Sequence, residues 1–329
     1  MSMRYRAFFG LLGLAVLLTA CGSGTTTNTS TTPGQIQKIS IGLGYLPDIQ
    51  FAPFYVAQSK GYYKAEGLDV TFNHGIVPDL IGSMVAGQNT FVFAGGDNLL
   101  IARGKHIKAI DVGTIFQKYP VCLIVPADSP IKTLADIKGH TVGIPGPYDA
   151  NYTGLLALLY KENLTIKDIK LQSINFTQVE ALLSHKVDAV MGYSNNEPLQ
   201  LRKRGMDVRT FNVSDYQPVV SNGILTMEEH YRSQPEQVKA FVRATLKGVQ
   251  DVIADPAGAL KISKSFVPNM NEAQEREVLM ATIPIWQSSN KPGYNDPATW
   301  AATEQFLVAQ KLMPAGQDVT QAYTNQALG

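Results

Sequence analysis

The sequence contains few of the residues that build metal centres and disulfide-stabilised folds. Its 329 residues include only 2 cysteines and 5 histidines. So few cysteines exclude a disulfide scaffold and a zinc site built from cysteine. No two of the histidines have the spacing of a metal-binding pair. We therefore expect neither a bound metal nor a cofactor.

The chain also lacks an excess of charge of either sign. Lys and Arg together number 28 and Asp and Glu number 27, so the formal net charge is +1. A near-neutral chain does not offer the basic surface that nucleic acids require, and we expect no nucleic-acid partner. Because 45% of the residues are hydrophobic and 17% are charged, the composition favours a packed globular protein.

Local catalytic motifs are absent as well. The sequence has no nucleophile elbow, phosphate-binding loop, dinucleotide fingerprint or His-Glu-x-x-His helix. The carboxylates are scattered, and no pair of them has the context of a general acid and base. A Ser-His-Asp triad stays open at this point, because its members are close only in space. We predict a protein that is not an enzyme.

The N-terminus has a short apolar run but no segment of spanning length. Residues 8–18 are apolar and follow Arg4 and Arg6, and they are too few for a spanning helix of about 20 residues. The run ends at Leu18-Thr19-Ala20-Cys21, which matches the lipobox of bacterial lipoproteins. That motif needs a thiol, because the cysteine sulfur receives a diacylglycerol before cleavage. The alternative is an ordinary signal followed by a buried cysteine.

These features predict an exported, lipid-anchored protein. We assign a lipoprotein signal peptide to residues 1–20 and a flexible tether to residues 21–37, which are rich in Gly, Ser and Thr. Cys21 would carry the lipid, and two or more acyl chains, palmitate among them, make a stable anchor. We therefore expect the protein at the outer face of the cytoplasmic membrane.

After the tether, short apolar strands alternate with helical patterns. Such alternation predicts an α/β fold with mostly parallel sheets and helices on both faces. The alternation restarts after Val125, and a later strand returns to the first unit. We predict two lobes with two crossovers between them, lobe 1 from 38–125 and 222–329 and lobe 2 from 126–221. From Pro235 onwards the pattern is helical.

The predicted strands end in loops rich in Tyr, Asn, Pro and Gly. Ligands bind outside the carboxyl ends of parallel strands, so these loops would line a cleft between the lobes that closes on a hinge. The candidate binding residues are Tyr45, Asp48, Phe51, Gly96, Asp97, Tyr119, Tyr148, Asp149, Tyr152, Tyr193, Asn195 and Glu197. Each has a structural alternative. Asp149 and Asn195 could cap helices, Glu197 could favour a helix dipole, and the tyrosines could be core residues.

The chemistry of these loops restricts the ligand. They contain several carboxylates, no Arg and a single cation, Lys118. A free amino acid or a phosphate would usually need an Arg fork. Tyrosine faces stack on flat rings, and carboxylates or amides accept hydrogen bonds from N–H and hydroxyl groups. The sequence therefore predicts a planar, donor-rich ligand that is neutral or weakly charged.

Four stretches also resemble a known family. They are 45–70, which contains Gly61-Tyr62-Tyr63, then Gly95-Gly96-Asp97, 129–139 and Val187-Asp188-Ala189-Val190. They are similar to solute-binding proteins of ABC importers, and the resemblance extends over nearly all of the chain after the tether. It implies a two-lobed periplasmic-binding-protein type II fold with a helical C-terminal part. It also implies a small-molecule ligand, a membrane permease with its ATPase as partners, and a monomer.

The segment from Tyr193 to Pro198 is most similar to the vitamin-related branch of that family. The resemblance implies a vitamin-related ligand, since that branch contains both riboflavin-binding lipoproteins and pyrimidine binders. The number of tyrosines favours a large ring system and therefore riboflavin. A thiamine-pyrimidine precursor of the formylaminopyrimidine or hydroxymethylpyrimidine type is the alternative. The acidic loops oppose nitrate and sulfonate. A pyrimidine-synthase-like enzyme is opposed by the absence of that enzyme's Cys-rich segment.

Overall fold

The structure is a computed structural model that describes residues 36–329, so Cys21 and the predicted signal peptide lie outside the described residues. The strands are β1 (Gln37–Leu43), β2 (Leu68–His74), β3 (Phe91–Gly95), β4 (Ala109–Thr114), β5 (Val121–Pro126), β6 (Thr141–Ile144), β7 (Lys170–Ser173), β8 (Ala189–Tyr193), β9 (Val208–Asn212) and β10 (Asn222–Met227). The helices are α1 (Ala52–Ser59), α2 (Tyr62–Ala65), α3 (Val77–Val85), α4 (Gly96–Gly104), α5 (Ala150–Lys161), α6 (Gln178–Leu183), α7 (Glu197–Lys203), α8 (Glu228–Ser233), α9 (Pro235–Ala254), α10 (Pro256–Ser263), α11 (Glu272–Trp286) and α12 (Pro297–Ala309).

The first sheet has the strand order β2-β1-β3-β10-β4. β1 pairs in parallel with β2 and β3, with Ile41 opposite Phe72 and Phe91. β10 runs antiparallel to both of its neighbours, β3 and β4. All the residues of β3 and β4 are buried, as expected for strands that are covered on both faces.

The second sheet has the order β7-β6-β8-β5-β9, again with one antiparallel strand, β5, between β8 and β9. This pairing corrects our lobe boundary, because we placed residues 121–125 in the first lobe. The chain crosses to the second sheet before Val121, not after Val125. The run Val121-Cys122-Leu123-Ile124-Val125 is fully buried, and such a run has no local signal for the sheet that it joins.

The directions of the strands determine where the loops after them lie. Four strands of each sheet share one direction, and the antiparallel β10 begins at the edge where those of its own sheet end. Loops after the parallel strands therefore gather at one edge of each sheet. The sequence prediction of a mixed α/β fold with mostly parallel sheets is confirmed.

The C-terminal part is helical, as predicted, and packs on the first sheet. The Phe241 ring of α9 stacks on Phe91 of β3 with ring centroids 4.2 Å apart. The Phe241 ring also stacks on Tyr63, with ring centroids 5.2 Å apart. These aromatic side chains are almost fully buried and contribute strongly to the core. Within residues 36–329, none of the helices combines the length and apolar character needed to cross a bilayer.

Candidate ligand-binding cleft

A cavity lies where the carboxyl ends of the parallel strands of both sheets come together. Its lining residues are Gly44, Tyr45, Gln50, Phe51, Val77, Gly95, Asn98, Asp149, Ala150, Asn151, Phe176, Gln178, Tyr193, Asn196, Glu197 and Asn222. The cavity volume is about 40 Å³, which is room for a few water molecules at roughly 10–15 Å³ each. The walls stand close together, and a larger ligand requires them to separate.

The loop after β1 forms one wall. Asp48 caps a short 3₁₀ turn over Ile49–Phe51, where its Oδ1 accepts a hydrogen bond from the Gln50 backbone N at 2.9 Å. His74 Nδ1 lies 3.1 Å from the Tyr45 carbonyl oxygen, and the His74 ring packs edge-on against Phe51. The turn and the histidine together fix Tyr45, Gln50 and Phe51 along the cavity.

An aromatic contact joins the two walls. Tyr45, which follows β1, meets Phe176, which follows β7, with ring centroids 5.0 Å apart and an interplanar angle of 88°. Edge-to-face geometry is a favourable arrangement for two aromatic rings. Burial and the nearby Glu197 carboxylate raise the pKa of Tyr45 well above its usual value, so its hydroxyl stays neutral at physiological pH.

The turn between β6 and α5 contributes Asp149. Its Oδ1 accepts hydrogen bonds from the backbone N of Asn151 at 2.9 Å and of Tyr152 at 3.4 Å, which caps α5. Burial raises the pKa of Asp149 from 3.8 to about 6. Asp149 is therefore the helix cap that the structural alternative expected, and it lines the cavity at the same time.

The turn between β8 and α7 contributes Tyr193 and Glu197. Glu197 Oε2 accepts a hydrogen bond from the Tyr193 backbone N at 2.7 Å. Burial raises the pKa of Glu197 from 4.5 to about 7, and the carboxylates of Asp48 and Asp149 add to the rise. Gly192 in β8 lets the Glu197 carboxylate approach the strand closely, because a Cβ there would lie 2.9 Å from Glu197 Oε2.

The electrostatic character of the cleft is acidic. Burial raises the pKa of Asp48 to about 6, and burial together with Asp48 raises that of Glu275 on α11 to about 7. Within residues 36–329, neither Arg nor Lys lines the cavity. Such a cavity favours ligands that donate hydrogen bonds and disfavours anions, which would lie beside carboxylates without a compensating cation.

Some of the twelve predicted binding residues line the cavity and others do not. Those that do are Tyr45, Phe51, Asp149, Tyr193 and Glu197. Those that do not are Asp48, Gly96, Asp97, Tyr119, Tyr148, Tyr152 and Asn195. A ligand-binding role stays a prediction for all of them. The first group comes from loops of both sheets, as expected for a cleft between two lobes.

Asp97 and Tyr119 are buried behind the cavity wall. The Tyr119 hydroxyl donates to the Ala150 carbonyl oxygen at 2.8 Å and lies 3.3 Å from Asp97 Oδ2. Burial raises the pKa of Asp97. Gly96 starts α4 and packs against Val220, where a Cβ would meet the valine side chain at 2.3 Å. These three residues support the wall in this structure.

The remaining predicted residues also make contacts within the protein. The Tyr148 ring covers Gly146, and Tyr152 packs against the core. Asn195 Nδ2 donates to Thr282 Oγ1 on α11 at 2.8 Å, and Asn195 is almost fully buried. The expected capping role of Asn195 is wrong, because its side chain bonds to this distant helix.

Sequence reasoning missed several lining residues. Phe176 and Gln178 follow β7 and are placed by the same strand-end rule that identified the other loops. Asn98 and Asn196 lie one position from predicted residues, and Asn222 begins the antiparallel β10. The strand-end signal could have found the loop after β7. Asn222 had no such signal, because it is the first residue of its strand and does not follow one.

The described residues do not contain a metal centre. Within residues 36–329, no group of three or more His, Cys, Asp or Glu side chains is arranged to hold a metal ion. Burial is the dominant influence on the pKa values of the cleft carboxylates Asp149 and Glu197.

Two sheets of this topology, with a cavity where the strand ends of both sheets meet, define the periplasmic-binding-protein fold. Solved structures agree with this assignment. The alkanesulfonate-binding protein SsuA from Xanthomonas axonopodis pv. citri, bound to MOPS, matches with a TM-score of 0.71 at 17% identity, over 88% of this chain and 99% of that chain. At this identity the likeness shows the fold alone.

The chain belongs to the NMT1/THI5-like family, whose model matches residues 48–259. It is 34% identical over 335 residues to the riboflavin-binding protein RibY from Chloroflexus aurantiacus, and the alignment covers 95% of each chain. It is 27% identical to the formylaminopyrimidine-binding protein from Halalkalibacterium halodurans, over 86% of this chain and 88% of that protein. The family that the sequence resemblance implied is confirmed.

Proposed function

We propose that this protein is an extracytoplasmic substrate-binding lipoprotein that captures riboflavin and delivers it to the permease of an ABC importer. The observation that carries the proposal is the cavity between the two sheets, which combines aromatic rings, amides and carboxylates without a lining cation. The relative at 34% identity over 95% of this chain is a riboflavin-binding protein, which supports the choice of ligand.

The lining suits a flat, uncharged ring. Tyr45, Phe51, Phe176 and Tyr193 offer apolar faces, and stacking on such faces does not require a charged ligand. Glu197 and Asp149 offer acceptors for ring N–H and hydroxyl donors. A small number of polar groups among aromatic walls is the usual composition of a site for small molecules.

A thiamine-pyrimidine precursor is the second candidate. Aminopyrimidines are flat and rich in donors, so the same acceptors would serve them, and the relative at 27% identity binds a formylaminopyrimidine. Nitrate and sulfonates are disfavoured, because Asp149 and Glu197 face the cavity without a balancing cation there. We infer no turnover, since the sequence has none of the local catalytic motifs.

Binding would depend on movement of the two lobes. The present cavity of about 40 Å³ is too small for a vitamin, so the contact between Tyr45 and Phe176 has to open before the ligand enters. Both walls would then close on the ring. A ligand that touches both lobes stabilises the closed form over the open one, and a permease can recognise that difference.

The proposed place of action is the outer face of the cytoplasmic membrane. Cys21 would carry the lipid, and the residues between Cys21 and β1 would let the binding lobes reach the permease. The composition of residues 22–34 supports this arrangement, because Gly, Ser, Thr, Asn and Pro without large apolar residues do not form a packed core.

Titration of the purified full-length protein with three ligands tests the function. We expect riboflavin to bind at one site with quenching of flavin fluorescence, and an alkanesulfonate not to compete. Riboflavin recovered afterwards should have an unchanged mass. Binding of formylaminopyrimidine alone would favour the second candidate, and a ligand of altered mass would establish an enzyme.

A further inference from the structure

Two amide oxygens at the cleft have no hydrogen-bond partner within residues 36–329. They are Asn151 Oδ1, on a side chain that is 5% exposed, and Asn222 Oδ1. Both residues line the cavity. Buried polar atoms are nearly always satisfied in folded proteins, so an unpaired acceptor at a cavity wall points to a donor that comes from a ligand.

The surrounding contacts orient the Asn151 amide. Its Nδ2 donates to Asp149 Oδ2 at 3.4 Å, and its backbone N donates to Asp149 Oδ1 at 2.9 Å. With the NH₂ group turned towards Asp149, the carbonyl oxygen is the part of the amide left for the cavity. Asn151 lies in the first turn of α5, on the wall of the second sheet.

Asn222 stands on the opposite wall. It is the first residue of β10 in the first sheet, and its side chain interacts with Tyr193, where it opposes the rise in the tyrosine pKa that burial causes. The two unpaired oxygens therefore come from different lobes. A single ligand that donates to both would join the lobes.

The supply of donors on a flavin indicates which part of the ligand these oxygens contact. The isoalloxazine ring of riboflavin has a single N–H group, whereas its side chain carries several hydroxyls. Asn151 Oδ1 and Asn222 Oδ1 both lack a donor among the described residues and come from opposite walls of the cavity, and one ring N–H cannot satisfy both. The hydroxylated chain is the remaining source of donors.

We propose that Asn151 and Asn222 are specificity-determining residues that accept hydrogen bonds from a hydroxylated side chain on the ring. This proposal rests on the proposed riboflavin function and deepens it. The ligand class is a flat heterocycle that bears a polyol chain, as distinct from the ring alone.

The test compares riboflavin with lumiflavin, which has the same ring with a methyl group in place of the polyol chain. Full-length wild type, Asn151→Leu and Asn222→Val are titrated with each flavin, with the exposed Asn290→Leu as the matched control. We expect wild type to prefer riboflavin. Each cavity variant should weaken riboflavin binding by about tenfold, as expected for one lost hydrogen bond, and leave lumiflavin binding unchanged.

Unchanged lumiflavin binding also shows that a variant is folded. If Asn151→Leu does not fold, the comparison of riboflavin and lumiflavin binding by wild type and Asn222→Val tests the proposal. Equal binding of the two flavins by wild type would overturn the proposal while leaving riboflavin binding intact. Equal weakening of both flavins by the variants would also overturn it. If wild type binds neither riboflavin nor lumiflavin, the proposed function itself is refuted.

Discussion

Buried carboxylates give the cleft its chemical character, and Glu197 is the clearest of them. The residue is 5% exposed, and its carboxylate accepts a hydrogen bond from the backbone N of Tyr193. A carboxylate in this environment loses hydration without gaining a positive partner, so the protonated form is favoured. Burial is the largest cause of the raised pKa of Glu197.

We predict that Glu197→Gln flattens the dependence of stability on pH. The pKa of Glu197 rises from 4.5 to about 7 on folding, so its contribution to stability is complete below pH 4.5 and is lost as pH rises through 7. Wild type should therefore lose up to roughly 3 kcal/mol between these limits, at about 1.4 kcal/mol per pKa unit. Gln keeps the acceptor for Tyr193 but cannot ionise. Urea unfolding of both proteins from pH 5 to 8 measures the difference.

Glu277→Gln is the matched control, because Glu277 is an exposed glutamate on α11. It should follow the wild-type curve at every pH. A constant difference between wild type and Glu197→Gln across this range would mean that Glu197 does not titrate on folding, and the acidic cleft would need another explanation.

Among the elements, α11 is the helix that ties the turn after β8 to the first lobe. Thr282 on α11 is fully buried, and its hydroxyl accepts from Asn195 Nδ2 at 2.8 Å and donates to the Val278 carbonyl oxygen. The same turn holds Tyr193 and Glu197. The position of one cavity wall therefore depends on a helix that is far away in sequence.

We predict that Thr282→Val destabilises the protein by about 1–3 kcal/mol, because it leaves the buried Asn195 NH₂ group without an acceptor. The change conserves volume, so lost packing contributes little. Thr71→Val, at an exposed position of β2, is the control and should stay within about 0.5 kcal/mol of wild type. Chemical denaturation of the three proteins checks this, and equal stability of the two variants would contradict it.

How far the sequence predicts these elements depends on whether the signal is local. Strand-helix alternation and the turn residues identified the loops after β1, β6 and β8, and the helical pattern predicted from Pro235 onwards includes α9. The sheet of β5 was not predicted, because long-range pairing decides it. The sequence also could not separate Tyr193, which lines the cavity, from Tyr119, which lies behind it, since both lie at or just beyond the carboxyl end of a strand.

For the molecule as a whole, the proposed lipid anchor would determine where ligand capture takes place. We predict that Cys21 is the first residue of the mature protein and carries lipid, because it ends a lipobox and precedes a polar tether. Metabolic labelling with a fatty-acid analogue should tag wild type and not Cys21→Ser. Equal labelling of the two proteins would refute this prediction.

The most direct test of a ligand held between the two lobes is riboflavin affinity after removal of one tyrosine from each wall. Tyr45→Ala removes a ring from the loop after β1, Tyr193→Ala removes one from the end of β8, and Tyr160→Ala, at an exposed tyrosine of α5, is the control. By analogy with base stacking, each cavity variant should lose about 1–3 kcal/mol, or roughly 5- to 150-fold in Kd. We predict losses in both cavity variants and none in the control. An affinity that falls for one tyrosine only, or for neither, would contradict a site shared by the two lobes.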